Sequence, residues 1–144
     1  LPEEDYIVPL GKAVVRREGE DMTMLTYGAM VYQCLKAAKV LEEEDDLAAE
    51  VVDLRCLTPL DRETIMESVK HTNKVLIVHE DTLTGGIGAE LAAILAEELF
   101  EYLDGPITRV AAPDAPFPYA PPLETAFLPN SEKILAAARK LAAY

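Results

Sequence analysis

Lys74-Val75-Leu76-Ile77-Val78-His79-Glu80-Asp81, running on through Thr82-Leu83 into Thr84-Gly85-Gly86-Ile87-Gly88, decides the fold. Four consecutive aliphatic residues between polar flanks do not alternate between core and water. They require a strand covered on both faces, which is the setting of a central parallel strand. After the glycine-rich turn, Ala89 to Leu103 is rich in Ala, Leu and Glu and reads as a long helix, stopped by Asp104-Gly105-Pro106. Strand, turn and helix in this order predict one unit of an α/β sheet.

Upstream, Lys12 to Arg17 reads as a short strand, and Arg17-Glu18-Gly19-Glu20-Asp21 as a tight turn into a second, apolar strand, Met22 to Tyr27. From Gly28 the spacing changes to that of a helix, with Val31, Leu35, Ala38 and Leu41 on one stripe. The acidic run Glu42-Glu43-Glu44-Asp45-Asp46 is expected to end that helix as a solvated connection. Ala48 to Leu54 is a buried strand. A helix over Arg62 to Lys70 follows, capped by Asp61 and burying Ile65, Met66 and Val69.

Downstream, Ile107 to Ala111 forms the last strand, and Pro113, Pro116, Pro118, Pro121, Pro122 and Pro129 are expected to keep a long connection out of regular structure. Asn130 or Ser131 caps a final helix, Glu132 to Ala143, with Ile134, Leu135, Ala138 and Leu141 inward. The alternation predicts one domain over 1–144: a three-layer α/β/α sandwich whose mixed five-stranded sheet has its first strand as an antiparallel edge.

Composition narrows the function classes. A length of 144 residues suits one core, and half the residues are hydrophobic without any run long enough to cross a bilayer, so a soluble globular domain is expected. Thirteen basic against 26 acidic side chains give a formal charge of -13, a field that repels nucleic acid and anionic lipid and attracts basic protein surfaces. Cys34 and Cys56 lie far apart, outside any CxxC or Cys/His cluster, so they read as reduced core thiols and neither a disulfide framework nor a metal site is predicted. The start, Leu1-Pro2-Glu3-Glu4-Asp5, lacks an initiator Met and a signal pattern, and is read as the beginning of a fragment.

The sharpest local candidate is His79-Glu80 with Gly85, Gly86 and Gly88. Strand carboxyl ends collect ligands in open α/β sheets, and a glycine turn at a helix N-terminus offers amides to an anion. However, GxGxxG fails at Leu91 and no Walker motif is present. The same glycines serve close helix–strand packing or the approach of a partner equally well. His79 beside two carboxylates reads either as a general base with a raised pKa or as a satisfied structural or interface histidine; His71, at a helix end, favours the dipole. At the other terminus, Tyr144 joins an aromatic ring to a carboxylate, a pairing suited to an arginine. Phe117, Tyr119 and Phe127 are candidates for local packing or an interface anchor.

Five ordered motifs then resemble one family over nearly the whole chain. They are Pro2-Glu3-Glu4-Asp5-Tyr6-Ile7-Val8-Pro9-Leu10-Gly11-Lys12, Thr26-Tyr27-Gly28, Val52-Asp53-Leu54-Arg55 with Thr58-Pro59-Leu60-Asp61, His79-Glu80 through Thr84-Gly85-Gly86, and Pro113-Asp114-Ala115-Pro116-Phe117-Pro118-Tyr119-Ala120. The chain resembles the C-terminal, transketolase C-terminal-like domain of the β subunit of the thiamine-diphosphate-dependent component of 2-oxo acid dehydrogenases. His79-Glu80 with Leu83-Thr84-Gly85-Gly86 looks slightly more like the branched-chain than the pyruvate members.

The resemblance implies a parent oxidoreductase that decarboxylates a 2-oxo acid and passes the acyl group to a lipoyl arm. It implies that thiamine diphosphate and magnesium are held by parts outside this sequence: the β subunit's N-terminal pyrimidine-binding domain and the α subunit. No catalytic, cofactor-binding or metal residue is therefore expected in the chain. The implied partners are the α subunit, a second β subunit in a homodimeric arrangement, and the basic subunit-binding domain of the acyltransferase, docked partly on Tyr144. The implied location is a reducing compartment, the bacterial cytoplasm or the mitochondrial matrix.

Overall fold

The computed structural model describes residues 6–144; the reading of Leu1 to Asp5 lies outside the described residues. The run that opened the sequence analysis forms β4, Val75–Thr82, whose first five residues are buried. It sits fourth in one sheet of order β1-β3-β2-β4-β5, with β1 Val14–Arg17, β2 Met22–Thr26, β3 Ala49–Asp53 and β5 Thr108–Ala112. All neighbours are parallel except β1, which runs antiparallel along β3. The helices cover both faces. α1 (Met30–Asp45) and α5 (Ser131–Ala142) pack over Met22, Met24, Val51, Leu76 and Val78, while α2 (Arg62–Thr72) and α3 (Ile87–Leu99) pack over Leu25, Val52, Val75 and Ile77. The predicted α/β/α sandwich with one antiparallel edge strand is the architecture observed.

Three details go beyond or correct these expectations. First, β1 is the antiparallel edge strand, as expected, and it pairs with β3, because the tight turn carries the chain across the start of β3. Gly19 makes the crossing feasible, because a Cβ there would overlap the backbone from Ala48 to Glu50. The Asp21 amide donates to the Ala48 carbonyl at 3.0 Å and the Ala48 amide to Asp21 Oδ2 at 2.6 Å, which pins the crossing. Second, Glu42 to Asp45 are the last turn of α1, not a connection. Glutamate is a good helix former, and the helix ends only where Asp46 turns left-handed at φ 55. Arg17 holds Glu42, and Arg139 holds Glu44 and Asp45, so the run is paired to its own domain.

Third, the proline-rich connection contains a short helix, α4, Pro121–Phe127. Pro121 and Pro122 occupy its first turn, where a missing amide costs nothing. The predicted caps are in place: Asp61 accepts from the Thr64 amide, and Asn130 from the Lys133 amide. Asp61 also accepts from the Ala13 amide, tying the chain entering β1 to the start of α2. The long helix after the glycine turn begins earlier than expected, at Ile87, and passes through a 3-10 turn at Phe100–Tyr102.

Candidate functional site

Strand order places a crevice between the carboxyl ends of β2 and β4. From β2 the chain goes outward through α1 on one face, and from β4 it goes the other way through α3 on the opposite face, so the two helices diverge here. Such a switch point is where open α/β sheets place ligands. Tyr27 and Gly28 stand on one side of it, His79, Glu80 and Asp81 on the other. The Tyr27 phenol is pushed up by burial and then by the charges of Asp81 and Glu80, which ties the two sides together electrostatically. Gly28 is at φ 62 with open space beside it.

The glycine turn is filled from within. His79 has no exposed surface, and its side chain lies beneath the start of α3. A Cβ at Gly88 would overlap Nε2 and stand 2.6 Å from Cδ2; one at Gly86 would overlap the Thr82 carbonyl and stand 2.8 Å from Cε1. The ring is therefore clamped between two glycines, and close packing is the geometric reason for both. Gly85 differs: at φ 78 it faces open space and supplies the left-handed bend of the turn.

The reading of His79 as a base raised by its acidic neighbours does not hold: burial pushes its pKa down, outweighing the opposite pull of Asp81. As a structural histidine it is packed without a well-formed hydrogen bond at either ring nitrogen, although the Asp81 backbone acts on the ring and favours its protonation. Glu80 and Asp81 are exposed at the strand end. The turn is fastened to the following connection: Thr84 donates its amide (2.9 Å) and hydroxyl (2.6 Å) to Asp114, and Arg109 donates to the Leu83 carbonyl at 2.9 Å. Those bonds to Thr84, with Arg109 nearby, hold the Asp114 carboxyl below its ordinary range.

A diphosphate with its magnesium does not fit this turn. The buried imidazole backs Gly86 and Gly88, and the nearest carboxylates, Glu80, Asp81 and Asp114, repel an anion. Among the described residues no three His, Cys, Asp or Glu side chains stand close enough to hold a metal ion. Cys34 is buried with its thiol pushed up to about 12 by burial, as a core thiol should be, whereas Cys56 is half-exposed in the loop after β3, contrary to the core reading. No helix among the described residues is long and apolar enough to cross a membrane.

Large apolar side chains are exposed at both ends of the sheet. On the carboxyl side, Phe117 stacks edge-on to Phe127 with centroids 5.5 Å apart, and Leu83, Tyr119 and Leu123 are exposed, Tyr119 to 97%. On the opposite side Tyr144 is 66% and Phe100 76% exposed. Tyr144 leans on Gly105, whose neighbours Leu103, Pro106 and Ile107 line an open apolar recess with Phe100. Sequence reasoning missed both this recess and the position of Tyr27 and Gly28. Each depends on which elements become neighbours, a matter that spacing along the chain does not carry.

Architecture and site define a doubly wound α/β sandwich whose strand-end glycines serve packing and whose free apolar surface lies at its two ends. The chain belongs to the family described as Transketolase, C-terminal domain, whose profile matches residues 11–134. It is 50% identical over its whole length to the 2-oxoisovalerate dehydrogenase subunit beta of Bacillus subtilis, covering 44% of that protein. It is 43% identical over 96% of its length to the mitochondrial pyruvate dehydrogenase E1 component subunit beta of Dictyostelium discoideum, covering 39% of it. A solved structure titled as a split gene transketolase, inactive beta4 tetramer, matches 96% of this chain and 44% of its own with a TM-score of 0.82 at 32% identity. The chain thus spans under half the length of these relatives.

Proposed function

We propose that this chain is the assembly domain of the β subunit of a 2-oxo acid dehydrogenase. It joins the β subunit to its α and β partners and seats the basic subunit-binding domain of the lipoyl acyltransferase. Decarboxylation on thiamine diphosphate and magnesium belongs to the other parts of that oxidoreductase, in bacterial cytoplasm or the mitochondrial matrix. The observation that carries the reading is the clamped His79: where a reacting group would stand at the strand end, the chain has a packed joint. Large apolar residues meanwhile face outward at both ends of the sheet. Higher identity to the 2-oxoisovalerate relative than to the pyruvate relative supports a branched-chain 2-oxo acid as the parent's substrate.

Tyr144 is the docking residue of this proposal. Its side chain lies against Gly105, which lines the recess with Phe100, and Glu101 and Asp104 are exposed in the same turn. Exposed aromatics rimmed by acids suit a cationic partner surface, which the charge of -13 also draws. Light scattering with a basic subunit-binding domain is the test: a complex forms, and Tyr144→Ala and Phe100→Ala weaken it. A purified chain that releases carbon dioxide from a 2-oxo acid with added thiamine diphosphate and magnesium would falsify the non-catalytic role.

A further inference from the structure

The edge strand β1 and helix α2 border an open recess of about 250 Å³ over the start of β3. It shares no residue with the recess beside Tyr144. Val15 of β1, Glu50 of β3 and Ser68 of α2 line it, with Glu18, Glu67 and His71 exposed around it. Glu50 is only 4% exposed and Ser68 only 6%.

Glu50 is a buried carboxylate without a cation. The hydroxyls of Thr23 and Thr72 stand 2.7 Å apart and carry one proton each. The acceptors they meet are Glu50 Oε1, at 3.0 Å from Thr23, and the carbonyls of Ser68 and Lys74. Glu50 therefore receives at most one hydrogen bond from them, and from a neutral donor. Its Oε2 has no partner among the described residues, nor has Ser68 Oγ, and neither atom is sealed from the recess. Thr64, which also lines it, has its hydroxyl bonded to Asp61 Oδ2. A carboxylate this deeply buried is ordinarily paired, because losing water without gaining donors is costly.

The cations nearest in the chain are committed elsewhere. No lysine or arginine among the described residues lines the recess. Arg16 and Arg17 of the bordering strand pair with Asp53 and Glu42. The register of β1 on β3 shifts between Val15 and Arg17, and this irregularity turns Arg17 toward α1 instead of α2. Lys12 pairs with Asp61 and Glu63 at the start of α2, Lys70 lies over the Tyr102 ring, and Lys74 donates to the Ala142 carbonyl. His71 is the one lining group that can become cationic.

We infer that this cleft binds an alkylguanidinium group, the head and stem of an arginine. No three metal-ligating side chains stand close enough among the described residues to hold a metal ion, so the cation is organic. A guanidinium is more weakly hydrated than an ammonium, and its fork of donors can meet Glu50 Oε2 and Ser68 Oγ together. Val15 gives the methylene stem an apolar wall. Glu18 and Glu67 add to the field at the mouth.

Nα-acetyl-arginine methylamide, its lysine and citrulline counterparts, and agmatine are titrated into the chain at constant moderate salt, followed by backbone amide shifts. Both guanidinium compounds should shift Glu50, Glu67 and Ser68. The citrulline compound, with the same shape and no charge, should shift none of them, and the lysine compound should bind more weakly than the arginine one. Tighter binding of the arginine compound than of agmatine assigns the cleft to a partner's side chain; the reverse order assigns it to a free small cation. Glu50→Gln should weaken binding about tenfold, the effect of one charge-assisted contact. Glu67→Gln, at the exposed rim where folding is not at stake, should weaken it too. Glu90→Gln removes an equal charge from the first turn of α3 and should leave it unchanged. Equal losses in Glu50→Gln and Glu90→Gln, shifts spread over the acidic surface, a lysine or citrulline compound that binds as well as the arginine one, or no shift around Glu50 overturns the proposal.

Discussion

Gly88→Ala tests whether the strand-end glycines exist for packing. Gly88 is the second residue of α3, so alanine there gains helix propensity, at most ~1 kcal/mol. Against that gain, the new methyl overlaps His79 Nε2 and approaches Cδ2 to 2.6 Å and Ile77 Cγ2 to 3.4 Å. The imidazole has no exposed surface, and Gly86 closes its other side, so the ring has nowhere to move. Overpacking of a fixed core group costs ~1–3 kcal/mol, and a ring held from both sides belongs at the upper end. The expected net loss is about 1–2 kcal/mol, or roughly 2–8 °C in Tm at the ~2–4 °C per kcal/mol usual for chains of this size.

The decisive measurement is the double-mutant cycle with His79→Ala, by thermal and urea unfolding. Removing the ring opens space for the methyl, so in that background Gly88→Ala becomes neutral or gains its propensity term. The coupling is then about 1–3 kcal/mol, within the range for residues in direct contact. Had Gly88 been kept so that its amide could approach an anion, the substitution would cost the same with or without His79. Equal costs in the two backgrounds refute the packing argument.

The low pKa of His79 gives a stability that depends on pH in a known direction. The unfolded chain takes up the proton near 6.5 and the folded chain at lower pH, so this contribution is complete above that value and fades as pH falls toward the folded pKa; His79→Phe removes the slope in urea titrations below pH 6.5. Asp61 acts in a more acidic window. Burial pushes its carboxyl up, but the Ala13 amide and the Thr64 hydroxyl and amide outweigh that and hold it below its ordinary value of 3.8. Its stabilisation is therefore present above that value and lost below it. Asp61→Ala removes the α2 cap and the Ala13 tie together and should cost about 2 kcal/mol in chemical unfolding. Gly19→Ala sets a methyl into the backbone of Ala48 to Glu50; hydrogen exchange should show Val14 to Arg17 losing protection, and a protected β1 in that variant contradicts the crossing.

What the sequence makes legible is whatever short-range patterns determine. Val75 to Val78 declare a strand buried on two faces because no solvent-facing residue interrupts them, and Asp61 and Asn130 declare helix starts because their side chains reach amides three residues on. The failures are equally physical. Glu42 to Asp45 look like solvent because charge is read before propensity, yet Arg17 and Arg139, distant in sequence, pair with them as the last turn of α1. Pro121 and Pro122 read as breakers although the first turn of a helix tolerates both. Strand order is the largest hidden quantity: nothing near Gly19 announces that it passes over β3. Without that order the crevice between Tyr27 and Asp81 cannot be placed.

The two ends of the sheet impose different requirements on partners. At the carboxyl side, the glycine turn and the proline-rich connection are tied by Thr84 to Asp114 and by Arg109 to Leu83, and Phe117 packs on Phe127, so the exposed Leu83 and Phe117 stand on braced segments. A braced apolar surface loses little conformational entropy on association, which suits a permanent subunit contact. At the opposite side, Phe100 and Tyr144 sit at the ends of α3 and α5 beside the exposed acids Glu101 and Asp104, a surface suited to a partner that is captured by charge and released. Raising the salt should therefore weaken docking at Tyr144 while leaving an association through Phe117 and Tyr119 intact, because screening acts on exposed charges and hardly on buried apolar area. Equal salt sensitivity of the two contacts would remove this division of labour.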